Sequence, residues 1–138
     1  SAEVISRALA LPVQVIPAFC ERHVGVFEGL TQAEARIRYP ELWARNITRR
    51  WDEAPTDGES LDAVIARVSS GLITLADEAR GERVLLVAHG VVAKVIRALT
   101  SSGFADFFEW QLHNGGRLVA NIPQAQSPIR FHRPAGQD

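Results

Sequence analysis

Apolar residues along this chain follow two kinds of pattern, and the change from one to the other marks its elements. Arg83-Val84-Leu85-Leu86-Val87-Ala88 is a short, nearly unbroken apolar run rich in β-branched residues, introduced by the turn-like Arg80-Gly81-Glu82. A strand buried on both faces has that signature, so 83–88 is predicted to be a central strand. Beyond His89-Gly90 the apolar positions Val91, Val92, Val95, Ile96 and Leu99 return at helical spacing, which predicts a helix near 91–100 packed back on the sheet. A longer stripe, Leu61, Val64, Ile65, Val68, Leu72, Ile73 and Ala76, predicts a core helix from 60 to about 79 with Ser60 as its N-cap.

The same patterns divide the rest of the chain. Ala2, Val4, Ile5, Ala8 and Leu9 carry a helical stripe that Leu11-Pro12 ends, and Val13-Gln14-Val15-Ile16 is predicted to be a short strand closed by Pro17. Thr31-Gln32-Ala33-Glu34 fits a capping box, so a helix should run from Thr31 towards Tyr39, with a second short helix from Pro40 to about Arg49. The polar, turn-rich stretch 49–58 is a surface loop. Phe104, Phe107, Phe108 and Trp110 form an aromatic cluster suited to packing, 118–122 and 129–131 are expected as terminal strands, and the tail from Pro134 as frayed.

Strands alternating with helices predict an α/β class, a three-layer α/β/α arrangement on a mostly parallel sheet. The 138 residues suit a single domain over 1–138. Its helical stripe begins at residue 2, and a helix leading into a strand is the second half of a βαβ unit. The domain is therefore expected to be truncated at its N-terminus, its sheet incomplete because the first strands are absent. With 15 basic and 16 acidic residues the net charge is −1, so no global field favours nucleic acid or a membrane surface as a partner. No apolar run is long enough to span a bilayer and no basic-then-apolar leader opens the chain, which makes a cytoplasmic location the expectation. The single Cys20 excludes an internal disulfide and is expected as a small, semi-buried hydrophobe.

Candidate chemistry gathers at two places. His89 stands at the carboxyl end of the predicted central strand, where open α/β sheets bind ligands. The free N–H groups of the following helix favour an anion there, and Gly90 lets the backbone approach it. The second place is the loop 19–31, which has two glycines, two carboxylates (Glu21 and Glu28) and the basic pair Arg22-His23 directly after a strand. Arg49 and Arg50 are open to two readings, solvated charge near a helix end or phosphate contacts. Asn114 is either a turn residue or a site residue. The histidines at 23, 89, 113 and 132 show no pairing of the kind metal sites use, so no metal is expected, and His113 and His132 are read as surface or edge residues.

Three segments in order, Glu21-Arg22-His23-Val24-Gly25-Val26-Phe27-Glu28-Gly29-Leu30-Thr31, Gly58-Glu59-Ser60 before a long helix, and Val87-Ala88-His89-Gly90, together resemble the histidine phosphatase superfamily, the phosphoglycerate mutase-like fold. The opening Ser1-Ala2-Glu3-Val4-Ile5 is similar to the helix after that family's first two strands, and Leu112-His113-Asn114 to the segment before its last strands, so the resemblance covers nearly the whole chain.

That resemblance implies hydrolysis of a small phosphomonoester through a phosphohistidine, with no cofactor and no metal. It implies that His89 is the second histidine, which stabilises charge on the transferring phosphoryl group, and that Glu21 is the acid/base carboxylate. Arg22, Gly90, Arg49, Arg50 and Asn114 are the candidate substrate and phosphate contacts. The family's nucleophilic histidine, in an Arg-His-Gly at the end of its first strand, has no counterpart in these residues. Arg22-His23 is not that motif, because its flanks fit the acid-bearing loop and no glycine follows the histidine. The chain as given is therefore expected to be inactive. Two alternatives stand beside a phosphatase: a non-catalytic phosphate-binding or interaction protein, and a phosphoglycerate mutase. Against the mutase, Val24 occupies the position where those mutases place a substrate-holding tyrosine.

Overall fold

The computed structural model describes residues 1–122. Five α-helices carry it: α1 (Ala2–Leu9), α2 (Gln32–Arg38), α3 (Pro40–Ala44), α4 (Leu61–Glu78) and α5 (Gly90–Arg97). Each of the middle three starts where its sequence says it should. Thr31 and Glu34 form the reciprocal capping box of α2, Pro40 opens α3 at a position that needs no N–H, and the Ser60 hydroxyl accepts the Ala63 N–H at the start of α4. The helix expected to run on to Arg49 stops at Ala44, because Asn46 turns left-handed (φ 54°). A separate 3-10 turn, Ile47–Arg49, follows.

The core is the contact between α4 and α5. Leu61, Val64, Ile65, Val68 and Leu72 recur every three or four residues along α4, and all five are buried against Val92, Val95 and Ile96 of α5 and against Phe19, Trp51, Phe104 and Phe107. Gly71 belongs to this face: a Cβ there would stand 2.7 Å from the Ala18 Cβ, so its absence lets the turn Pro17–Phe19 close on the helix. A smaller cluster of Phe27, Ala35 and Ile47 anchors α2 and the loop before it.

The predicted sheet is where the structure differs. Among the described residues there is no β-strand: 13–16, 83–88 and 118–122 carry no regular secondary structure. The segment 129–131 lies outside the described residues. An apolar, β-branched run shows that a backbone suits a strand, but a strand forms only when its N–H and C=O groups find a ladder partner. Nor is 83–88 buried on both faces. Leu86 and Ala88 pack on the core while Leu85, 59% exposed, and Val87 face outward, the two-residue alternation of a segment covered on one side. The apolar stripe of α1 likewise finds no sheet to lie on, and none of its residues is fully buried. Cys20, expected as semi-buried, is exposed. Among the described residues no helix is long and apolar enough to cross a membrane.

The stripe on α4 also ends sooner than the sequence suggested. Leu72 is 2% exposed and its neighbour Ile73, counted on the same face, is 37% exposed. Leu72→Ala should therefore lower the unfolding free energy by about 2–5 kcal/mol and Ile73→Ala by less than about 1. Chemical denaturation of both variants checks this, and equal losses would contradict the placement of the core.

Candidate active site

The loop carrying Glu21 is fixed from below by Phe19, whose ring is in the core. From there Glu21 reaches α5. Its Oε2 accepts the Val91 N–H at 3.1 Å, and its Oε1 accepts the Val92 N–H at 3.3 Å and the Arg22 N–H at 3.0 Å. The first-turn N–H groups of a helix have no partner within it and carry the positive end of its dipole, so a carboxylate satisfies both needs there. His89 is the residue immediately before that turn, with extended backbone (φ −111°, ψ 177°) and an exposed side chain. Glu21 and His89, 68 positions apart in the sequence, thus both stand at one helix N-terminus. Space remains around Gly90, where an added Cβ would meet only Glu21 Oε2, at 4.0 Å.

A second set of contacts holds this loop from behind. Glu59 accepts the His23 N–H on Oε2 at 2.9 Å, and its own N–H donates to the His23 carbonyl at 2.8 Å. Arg67, from the second turn of α4, donates Nε to Glu59 Oε1 at 2.8 Å and Nη2 to Oε2 at 3.0 Å. It also reaches the Ala18 carbonyl at 2.8 Å and the Glu21 carbonyl at 3.3 Å. The loop therefore sits against 56–59 so closely that Gly25, with φ 55°, leaves no room for a side chain: a Cβ would stand 1.9 Å from the Thr56 carbonyl oxygen.

Arg22, a candidate phosphate contact, is turned inward and only 6% exposed. It donates Nε to the Glu59 carbonyl at 3.0 Å and Nη1 to the Thr48 carbonyl at 2.7 Å, while Nη2 is buried with no hydrogen-bond partner among the described residues. Burial pulls its pKa down, against the opposing pull of Glu59 and Glu21. In this geometry Arg22 joins three segments. Arg49 is exposed, its guanidinium 4.9 Å from the Phe108 ring centroid. Arg50 turns back to the Arg45 carbonyl (3.2 Å) and towards Glu53 (3.8 Å). Asn114 lies in the exposed turn closed by the Gly116 N–H on the His113 carbonyl, and among the described residues no hydrogen bond joins it to Glu21 or His89. Among the described residues no group of three or more His, Cys, Asp or Glu is placed to hold a metal.

Sequence reasoning missed Arg67 and the role of Glu59. A signal was present: Arg67 is the sole basic residue of α4, on a helix otherwise patterned for core and solvent, eight positions after a glutamate that precedes the N-cap.

The family model of the histidine phosphatase superfamily (branch 1) matches residues 1–131. The metal-independent phosphoserine phosphatase of Arabidopsis thaliana is 37% identical over 82 residues, 59% of this chain and 34% of that protein. The 2,3-bisphosphoglycerate-dependent phosphoglycerate mutase of Afipia carboxidovorans is 36% identical over 83 residues, 59% of this chain and 40% of that protein. A solved structure of the mycobacterial glucosyl-3-phosphoglycerate phosphatase superposes with a TM-score of 0.64 at 27% identity, covering 77% of this chain and 55% of that one. The likeness places the chain in an α/β fold, and the chain spans between about a third and just over half the length of these proteins.

The Glu59–Arg67 pair sets a pH dependence. The Arg67 hydrogen bonds, more than any other influence, hold the Glu59 carboxyl below its ordinary 4.5, so below that pH the unfolded chain binds more protons than the folded one. Stability from this pair is present above pH 4.5 and is lost as pH falls through the depressed folded value. Denaturation curves from pH 6 down to about 3 should fall less steeply for Glu59→Gln than for the unaltered protein; parallel curves would contradict the assignment.

Proposed function

This chain belongs to the histidine phosphatase superfamily, and we propose on that premise that it carries part of the site of a hydrolase that cleaves a small phosphomonoester through a phosphohistidine intermediate. The observation that carries the reading is the Glu21 carboxylate on the Val91 and Val92 amides beside the exposed His89. In this reading the phosphoryl group lies against His89, whose imidazole stabilises the charge spread over its equatorial oxygens. Glu21 gives its proton to the leaving alkoxide as the P–O bond breaks, then takes one from the water that cleaves the phosphoenzyme.

The attacking imidazole is not assigned to any histidine of these 138 residues. His23 is the nearest candidate in sequence, and its Nδ1 accepts the Gly25 N–H at 3.1 Å within the acid-bearing loop. Without a nucleophile no phosphoenzyme forms, so the 138-residue chain alone is expected to bind a phosphomonoester without turning it over. Hydrolysis is favoured over mutase chemistry by Val24, which offers no hydrogen bond to hold an intermediate for re-docking.

In a polypeptide that contains these residues and is active, His89→Ala should lower kcat/KM by about 10²-fold or more. Glu21→Gln should lower kcat/KM, which reports departure of the leaving group, far more for an alkyl phosphate than for p-nitrophenyl phosphate, whose leaving group needs no proton. Near-normal phosphate release by His89→Ala, or an equal fall in kcat/KM for both esters in Glu21→Gln, would refute the roles given.

A further inference from the structure

Arg67, 24% exposed, reaches from α4 to the peptide that carries the candidate acid. Its Nε and Nη2 form a fork on the Glu59 carboxylate at 2.8 and 3.0 Å. Nη1 is left for the Ala18 carbonyl at 2.8 Å, and the second hydrogen of Nη2 for the Glu21 carbonyl at 3.3 Å. Two parallel charge-assisted bonds permit one orientation, so the fork fixes the plane of the guanidinium. The Glu59 hydrogen bonds, more than any other influence, raise the Arg67 pKa, and the group against the Glu21 carbonyl is therefore a cation throughout.

That carbonyl belongs to a peptide whose other end serves the Glu21 side chain. The Glu21 carbonyl and the Arg22 N–H are one amide, and the Arg22 N–H donates to Glu21 Oε1 at 3.0 Å. A cation on the oxygen of an amide draws electrons from its nitrogen and makes the N–H a better donor, the cooperative strengthening that runs along chains of hydrogen bonds. A line of contacts therefore runs from Glu59 through Arg67 and the peptide 21–22 to the Glu21 carboxylate. It divides the two carboxylate oxygens. Oε1 takes two N–H groups, those of Arg22 and Val92, whereas Oε2 takes that of Val91 and is the atom nearest the space at Gly90.

We propose that Arg67 is a positioning residue for proton transfer by Glu21: acting through the peptide 21–22, it holds Oε1 on its amides and leaves Oε2 as the oxygen that gives and takes the proton. This rests on the function proposed above. Oε2 gives its proton to the leaving alkoxide oxygen as the P–O bond breaks, and takes one from the water that then attacks the phosphoenzyme. Arg67 touches neither the substrate nor the proton. Its contribution is alignment. Released from Arg67, the Glu21 backbone can turn and carry the carboxylate off the helix amides, while His89, on another segment, stays in place.

Amide resonances of the 138-residue chain test the positioning without requiring turnover. In Arg67→Gln the Arg22, Val91 and Val92 N–H signals should all move upfield, as donors whose acceptor has left, while those of the capping box at Thr31 and Glu34 stay in place. Arg67→Lys, which keeps the charge without the fork, should move them part of the way, and it carries the test if Arg67→Gln fails to fold. In an active polypeptide that contains these residues, Arg67→Gln should lower kcat/KM about tenfold or more for an alkyl phosphate and less than about twofold for p-nitrophenyl phosphate, with Arg67→Lys in between. A purely structural role would lower both esters alike. Unmoved Arg22, Val91 and Val92 amides in both variants, or an equal fall for two esters that Glu21→Gln separates, would overturn the positioning role. Failure of Glu21→Gln itself to separate the esters, with the amides moving as expected, would overturn the proposed function and the proton transfer with it, leaving only the Arg67 contact.

Discussion

A carboxylate on a helix N-terminus is the contact from which the candidate site is built. Docking a negative charge there contributes only about 0.3–1 kcal/mol, less than burying one large apolar side chain of the core. Its consequence is positional. The Glu21 hydrogen bonds to Val91 and Val92 join the loop that follows the turn Pro17–Phe19 to the helix that follows His89. With that contact made, the exposed imidazole and the carboxyl share one edge of the molecule. In the function proposed, they act on opposite sides of a single phosphoryl transfer.

Contacts of this kind need rigid elements on both sides. Val64 and Val68 of α4 are wholly buried against α5, so the helix that receives Glu21 has little freedom to shift. On the other side, Arg67 and Glu59 hold the backbone of the loop at Ala18, Glu21 and His23, and Arg22 ties it to Thr48 and Glu59. Among the described residues no ion pair joins Glu21 to a side-chain cation; its carboxylate takes the amides of Arg22, Val91 and Val92, and acts on the Arg22 and Arg67 guanidiniums only from a distance. The orphaned Arg22 Nη2 is an unfavourable buried donor, and the structure offers no compensating contact for it among the described residues.

What the sequence made legible divides along physical lines. The capping box at Thr31–Glu34, the Ser60 cap and the face of α4 as far as Leu72 depend on residues a few positions apart, and local chemistry sufficed to find them. The segments 13–16 and 83–88 have the composition of strands, yet pairing is a property of two segments and cannot be read from one. The site splits in the same way. Glu21 and His89 were legible through residue types in a familiar order, and Gly25 through the loop it serves. The Glu59–Arg67 clamp and the inward turn of Arg22 were not, because the partners lie 26 to 49 residues from the loop they hold and no periodicity links them.

The docking of Glu21 on α5 is tested most directly by the amide resonances of Val91 and Val92. An N–H that donates to a carboxylate is displaced downfield, and removing the acceptor returns it. Comparison of Glu21→Ala with the unaltered protein should show both amides moving upfield, with those of α4 at Val64 and Val68 unmoved. Unchanged Val91 and Val92 resonances in Glu21→Ala would contradict the contact, and with it the shared site of Glu21 and His89.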